Sequence, residues 1–256
     1  MSKNYELLQQ VDFGLGVAPA FTAGPTAAAE NVGVRERLDV AQALPDLEPQ
    51  VREEAFRLVQ RLFLLPQEKA PKFVVFAGID ADTGSNWLCS VAARLLAASI
   101  PGSVCLVNGN LRSPGSIDPL QLDGDGGLLD SLRADCPIRE FTRQLGPDNL
   151  RLLPPGLPSP DFAVLLNSDR MKERMRELRR EFDYLIMNAP PLSAFSDGVV
   201  LGAMSDGVVL VLEANSTRRE AAVRVTENLR NAKVPVLGAV LNNRTFPIPE
   251  VVYKRL

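Results

Sequence analysis

Beyond Lys72 the chain alternates short apolar or β-branched runs with helical stretches, and this alternation restricts the available folds more than any other feature of the sequence. The runs are "KFVVFAG", "SVCLVNG", "NLRLLPPG", "DYLIMNAPP", "DGVVLVLEA" and "VLGAVLNN". Helical segments lie between several of them, among them the stretch ending at Ile100, "SDRMKERMRELRREF" and "TRREAAVRVTENLRNA". A run such as "VVLVLEA" is apolar on both faces, as expected for a strand covered by helices on either side. The pattern predicts a single doubly wound α/β domain, with a mostly parallel sheet and helices on both faces. In such folds ligands meet the carboxyl ends of the strands.

Upstream of the alternation the pattern weakens. Lys3 to Gln10 reads as a short helix, and Gly16 to Val34 is rich in small residues with two prolines. Residues 1–47 are therefore expected to be a partly flexible N-terminal arm, and 48–256 the domain. At the junction, "LEPQVREEAFRLVQRLFLL" predicts an amphipathic helix, with Val51, Ala55, Leu58, Val59 and Leu62 at helical spacing. A chain of 256 residues, 46% hydrophobic with 28 basic and 31 acidic side chains, can bury one large core and has no basic excess for nucleic acid. No apolar run reaches the roughly 18 residues of a membrane span, and the N-terminus lacks the apolar core of a signal peptide. The expectation is a cytoplasmic protein that meets the inner face of a membrane only through a partner. There is no histidine, which excludes Ser/His/Asp and Cys/His catalysis. Cys89, Cys105 and Cys136 lack CxxC spacing and read as buried structural thiols.

Three strand ends carry the polar residues of interest: "AGIDADTGSNW", "VNGNLRSP" and "IMNAPPLSAFSDG". The first turns from strand to helix through small residues, as a phosphate-binding loop does, yet from Phe73 to Ala93 there is no lysine or arginine. Such loops bond phosphate through backbone N–H groups and a helix N-terminus, while a lysine neutralises the β and γ phosphates. Magnesium, a hard cation, relies on carboxylate oxygen nearby. Taken singly, each asparagine at these ends is also an ordinary turn or capping residue.

In order and spacing these motifs, together with the segment from "LLPPGLPSPDF" to "NAPP", resemble the cytoplasmic bacterial tyrosine autokinases of polysaccharide synthesis and export, relatives of the MinD/ParA-type P-loop ATPases. The resemblance runs from Glu53 to Leu256. It implies that Gly84 is the last loop glycine, that Ser85 occupies the lysine position and Asn86 that of the magnesium-binding hydroxyl, and that Trp87 stands for the following threonine. It also implies that Asp82 replaces a loop glycine. Asn108 and Asn110 stand for the two aspartates of the second motif, where Arg112 and Pro114 match, and Asn188 for the aspartate of the third. Asn242 and Asn243 fall where related ATPases contact the adenine base. Each charged catalytic position is thus neutral, so the resemblance implies a degenerate nucleotide site without catalytic residues. No cofactor is expected beyond weak ATP or ADP, with magnesium disfavoured. Arg112, Arg218 or Arg219 could substitute in part for the missing cation. Trp87, larger than threonine, could fill the space of the phosphates.

The family's autokinases commonly end in a tyrosine cluster, whereas here Tyr253 stands alone, with Tyr5 and Tyr184 elsewhere. Their oligomerisation helix carries ExxRxxR; Glu54 and Arg57 match, the last position is Gln60, and Arg61 follows. The expected function is that of a pseudokinase, regulatory or scaffolding, in polysaccharide assembly. The implied partners are a membrane-anchored chain-length regulator, an active kinase paralogue, or further copies of the chain. The alternatives are an active divergent tyrosine kinase or ATPase, and a MinD/ParA-like positioning adaptor.

Overall fold

The computed structural model describes residues 44, 47–65, 70–112, 126–146 and 148–243. All of these fall in one compact unit. The expected helix at Lys3 to Gln10, most of the 1–47 arm, Pro114, Tyr5 and Tyr253 lie outside the described residues.

Helix α1, Pro49–Val59, starts on a proline, whose fixed φ and missing N–H suit a first helical position. It buries Ala55 and Val59 and continues as one π-helical turn, Gln60–Leu64, that buries Leu62 and Phe63. Leu44 and Leu47, from the end of the expected arm, pack against the same core. The Arg52 guanidinium donates to both of their carbonyl oxygens at 2.8 Å.

The strands are β1 (Phe73–Gly78), β2 (Val104–Asn108), β3 (Arg143–Gln144), β4 (Leu150–Leu153), β5 (Tyr184–Ala189), β6 (Gly207–Glu213) and β7 (Val236–Asn242). Among the described residues they form one sheet in the order β3-β4-β2-β5-β1-β6-β7. Only the β3–β4 pair is antiparallel. The helices that follow α1 are α2 (Ser85–Ser99), α3 (Leu128–Ser131), α4 (Phe162–Leu166), α5 (Asp169–Glu181), α6 (Asp197–Ala203) and α7 (Arg219–Asn231). Because β2, β5 and β1 are neighbours and parallel, their carboxyl ends lie side by side at one edge. The three motifs, distant in sequence, meet there.

Side chains alternate across the sheet. Val74 and Phe76, with Leu106 and Ile186, join the core under α1 and α2. Phe73, Val75 and Ala77, with Val107 and Met187, join the core shared by α5, α6 and α7. All six residues of β1 are buried, as their unbroken apolar run predicts. Cys89 and Cys105 are buried, and burial pushes the Cys105 thiol up to about 12; Cys136, expected to be buried, is half-exposed.

Carboxylates fasten the opposite edge. Asp206 accepts the N–H groups of Lys72 and Phe73, both at 2.8 Å, and Arg179 Nη1 at 2.9 Å. Burial pushes its pKa upward, but the Phe73 and Lys72 N–H groups and Arg179 outweigh that effect and hold it below the usual range. Asp183 is held low by the N–H of Ser103 and then by its hydroxyl, at 2.8 and 2.9 Å. Helix α5 opens on Ser168, whose hydroxyl oxygen accepts the Met171 N–H at 3.2 Å, and it closes on Arg179 and Arg180, favourably placed for the helix dipole.

Candidate functional site

The loop from Ile79 to Gly84 joins β1 to α2 and is tied down from three directions. Ile79 donates to the Val211 carbonyl of β6 at 3.0 Å. Leu192 and Ser193, just past β5, donate to the carbonyls of Gly78 and Ile79, both at 2.9 Å. The Ser193 hydroxyl donates to Asp80 Oδ1 at 2.9 Å. From β7, Asn242 Nδ2 donates to the Thr83 carbonyl at 2.9 Å.

Two loop residues adopt left-handed backbone: Asp82 with φ 60° and Gly84 with φ 77°. Gly84 also leaves no room for a Cβ, which would strike the Asn242 amide. Asp82 holds its conformation without the freedom of glycine, and aspartate is one of the few residues that tolerate it. Ser85 and Asn86 follow in the half-buried first turn of α2, whose N–H groups have no intrahelical partner. Trp87 is 42% exposed, so its ring stands at the surface of that turn and is not packed into the interior.

Asn108 and Asn188 are register partners on β2 and β5. By strand alternation both lie on the sheet face covered by α2, the face the loop turns onto. Asn108 Oδ1 accepts the Asn110 N–H at 3.1 Å, an asparagine turn of the ordinary kind. Asn188 differs: it is fully buried, and both its amide nitrogen and its amide oxygen lack a hydrogen-bond partner. A buried, unsatisfied polar atom costs about 1–3 kcal/mol.

Other residues singled out in the sequence are committed elsewhere. Arg112 forms a forked ion pair with Asp197 at the start of α6, Nε–Oδ2 2.6 Å and Nη2–Oδ1 3.0 Å. Its guanidinium is stacked 4.8 Å from the Phe162 ring centroid and 4.2 Å from that of Phe195. The Asp197 hydrogen bond raises its pKa further. As a stand-in for the loop cation Arg112 is therefore already engaged. Arg218 and Arg219 are exposed at the start of α7. Asn242, expected near an adenine, braces the loop through its amide nitrogen. Asn243 has φ 54° and donates to Glu213 Oε1 at 3.3 Å on the surface. Glu54, Arg57 and Arg61 are exposed along one side of α1 and its π-helical turn; Arg57 pairs with Glu53 at 3.2 Å.

The clasp of Arg112, Asp197, Phe162 and Phe195 joins residues far apart in the sequence. Its one sequence signal is the arginine two residues beyond Asn110.

No protein-family model matches the chain. Among curated proteins it is 31% identical over 141 residues to "Tyrosine-protein kinase YwqD" of Bacillus subtilis, covering 55% of this chain and 60% of that protein. It is 25% identical over 191 residues to "Tyrosine-protein kinase etk" of Escherichia coli, covering 74% of this chain and 26% of that one. The chain thus spans less than two thirds of either relative. Among solved structures, the chimerical protein CapA2B2 superposes with a TM-score of 0.73 at 17% identity, covering 83% of this chain and 92% of that one. The VpsO kinase domain gives 0.65 at 21% identity, covering 77% and 98%. At these identities the superpositions establish the fold, and the curated matches show the likeness in sequence. Together they show a chain similar in sequence to bacterial tyrosine-protein kinases over part of their length and sharing the fold of their kinase domains.

Proposed function

We propose that this chain is a kinase-like domain without phosphoryl-transfer activity that acts as a regulatory or scaffolding component of polysaccharide assembly or export. Its expected partners are a membrane-anchored chain-length regulator, which would bring it to the inner face of the membrane, and an active kinase paralogue. The observation that carries this reading is the pairing of Asn108 with Asn188 under a loop in which Ser85 takes the place of a lysine.

The residues at these strand ends do not fit a magnesium–triphosphate pair. The three family aspartate positions offer carboxamides, with one carbonyl oxygen each and no charge, where magnesium asks for carboxylate. The Asn188 amide, fully buried, brings no negative charge to a metal. The phosphates would meet no lysine, and Asp82 would add a like charge beside them. One charge pair at about 4 Å is worth roughly 4 kcal/mol at an effective dielectric of about 20, so affinity falls by several powers of ten. What persists is the set of backbone donors at the start of α2, enough for weak nucleotide binding.

Calorimetric titration with ATP and magnesium tests this. The expected outcome is a dissociation constant weaker than about 10 μM, the equivalent of roughly −7 kcal/mol, and tighter binding overturns the reading. Intact-mass measurement after incubation with ATP and magnesium is expected to find no added phosphate. A variant carrying Asp82→Gly, Ser85→Lys, Asn86→Ser, Asn108→Asp, Asn110→Asp and Asn188→Asp is expected to gain magnesium-ATP binding. If it stays folded and gains none even with Trp87→Thr added, charge loss alone is not what silenced the site.

A further inference from the structure

On the sheet face away from α2, helices α5 and α6 enclose a groove of about 610 Å³, within the range of ligand-sized sites. Lys172, Met175, Arg176 and Arg179 line one wall at helical spacing, with Val200 of α6 and Met204, just past its end, lining the other. The lining contains three cations and no carboxylate, in a chain of net charge −3. Cationic charge is therefore gathered here against the overall balance.

The three cations are not equivalent. Arg179 is fixed by Asp206, by the Met204 carbonyl at 3.1 Å and by the Phe73 ring at 4.9 Å, and it forms one end of the groove. Lys172 pairs at 2.8 Å with Asp169, which is 91% exposed. Arg176 is exposed, and it acts on the same Asp169. Surface pairs of this kind contribute little and are readily exchanged. Lys172 and Arg176 can therefore turn to an incoming carboxylate, above a floor made by the buried Met175 and the half-buried Val199 and Val200.

We propose that this groove docks an acidic amphipathic segment of a partner protein, its apolar side chains entering between Met175 and Val200 and its carboxylates meeting Lys172 and Arg176. Charge complementarity selects the acidic partner. The concavity favours an inserted segment over a flat bilayer surface. From Lys172 to Arg179 the wall runs about 10 Å, the length of two helical turns, which suits a helix laid in a groove. The inference stands apart from the reading of the strand-end site, because the groove lies on the other face of the sheet.

The test is selection from a random-peptide display library against the intact chain, followed by fluorescence anisotropy of the enriched peptides. The expected peptides combine Asp or Glu with aliphatic or aromatic residues at helical spacing. They are expected to bind at least tenfold more weakly to a Lys172→Glu/Arg176→Glu variant and to weaken with salt. Binding to a Ser85→Ala variant is expected to be unchanged. Both reversed residues are exposed, and circular dichroism checks that the variant folds. The proposal is overturned by peptides without acidic bias, by peptides indifferent to the charge reversal, or by no enrichment at all. It is equally overturned if reversal abolishes binding to phosphatidylglycerol vesicles while peptides are unaffected, or if it abolishes a concentration-dependent dimer in sedimentation, since the occupant is then a membrane or a second copy.

Discussion

Replacing Asn188 by leucine should stabilise the protein, although it puts an apolar residue at the carboxyl end of a central strand. The side chain is fully buried, with both amide atoms unsatisfied. Leucine has the same branched shape and nothing to satisfy, and exchanging an orphaned polar group for an apolar one of like shape removes a desolvation cost of about 1–3 kcal/mol. For a domain of this size that corresponds to a rise in Tm of roughly 2–12 °C, at about 2–4 °C per kcal/mol. Urea unfolding of the two proteins checks it: the midpoint should move upward with the slope unchanged. The companion Asn188→Asp should move the other way. A carboxylate buried there has its pKa raised, so its cost is absent below an unfolded value of about 4 and grows as pH rises. A loss of more than about 1 kcal/mol in Asn188→Leu, with an unchanged slope, would refute the reasoning, because the amide would then be making bonds worth keeping.

Acid should weaken the fold through Asp206, Asp183 and Glu177, all held below the usual carboxylate range. For Glu177 burial acts upward and is outweighed by the Ile138 N–H and Arg174. Folded values below unfolded ones mean that this stability is complete above about pH 4–5 and drains as pH falls through the folded values, which thermal melts between pH 6 and pH 3 would follow. Asp206→Ala should cost about 1–3 kcal/mol, since it removes the acceptor of the part-buried Phe73 N–H and of the exposed Lys72 N–H and frees Arg179; an unchanged melt counts against the clip. Arg112→Lys should destabilise nearly as much as Arg112→Ala, because lysine supplies neither the fork for Asp197 nor the planar face between Phe162 and Phe195; rescue by lysine in thermal melts would contradict this. Gly84→Ala should destabilise the loop through left-handed strain and collision with Asn242, and Asn242→Ala should relieve only the collision, which a double-mutant cycle reads directly.

What the sequence revealed depended on repetition. Strands β1, β2, β5 and β6 are continuous apolar runs, and α1, α2, α5 and α7 carry helical periodicity, so local pattern and final burial agree. Helix α6 has no such signature. Its seven residues include Gly198 and Gly202, and a Cβ at Gly202 would strike Val208 and Val234, so close packing dictates its place. Arg174 lies in a strongly charged helix yet is 3% exposed, donating to the carbonyls of Ser131 and Ala134. The strand-end residues were legible as a set through their motifs, but their partners were not. Asp197 lies 85 residues from Arg112, and Asn242 lies 159 from Thr83, separations that only the fold closes. The unsatisfied amide of Asn188 was equally invisible, since an asparagine at a strand end reads as a turn residue until its surroundings are known.

The two borders of the sheet are unequal. At one side β3 is a two-residue antiparallel strand, too short to template an incoming chain. At the other, β7 presents seven residues, Val236–Asn242, and among the described residues no strand pairs with its outer side. None of the seven is charged, and Leu241 is 39% exposed, so nothing within the strand repels a newcomer. Among the described residues β7 is thus the longer unpaired border, the one at which an added strand would find most backbone to pair with. A lysine at the outward-facing Ala239 would blunt that border and leave the strand-end site untouched.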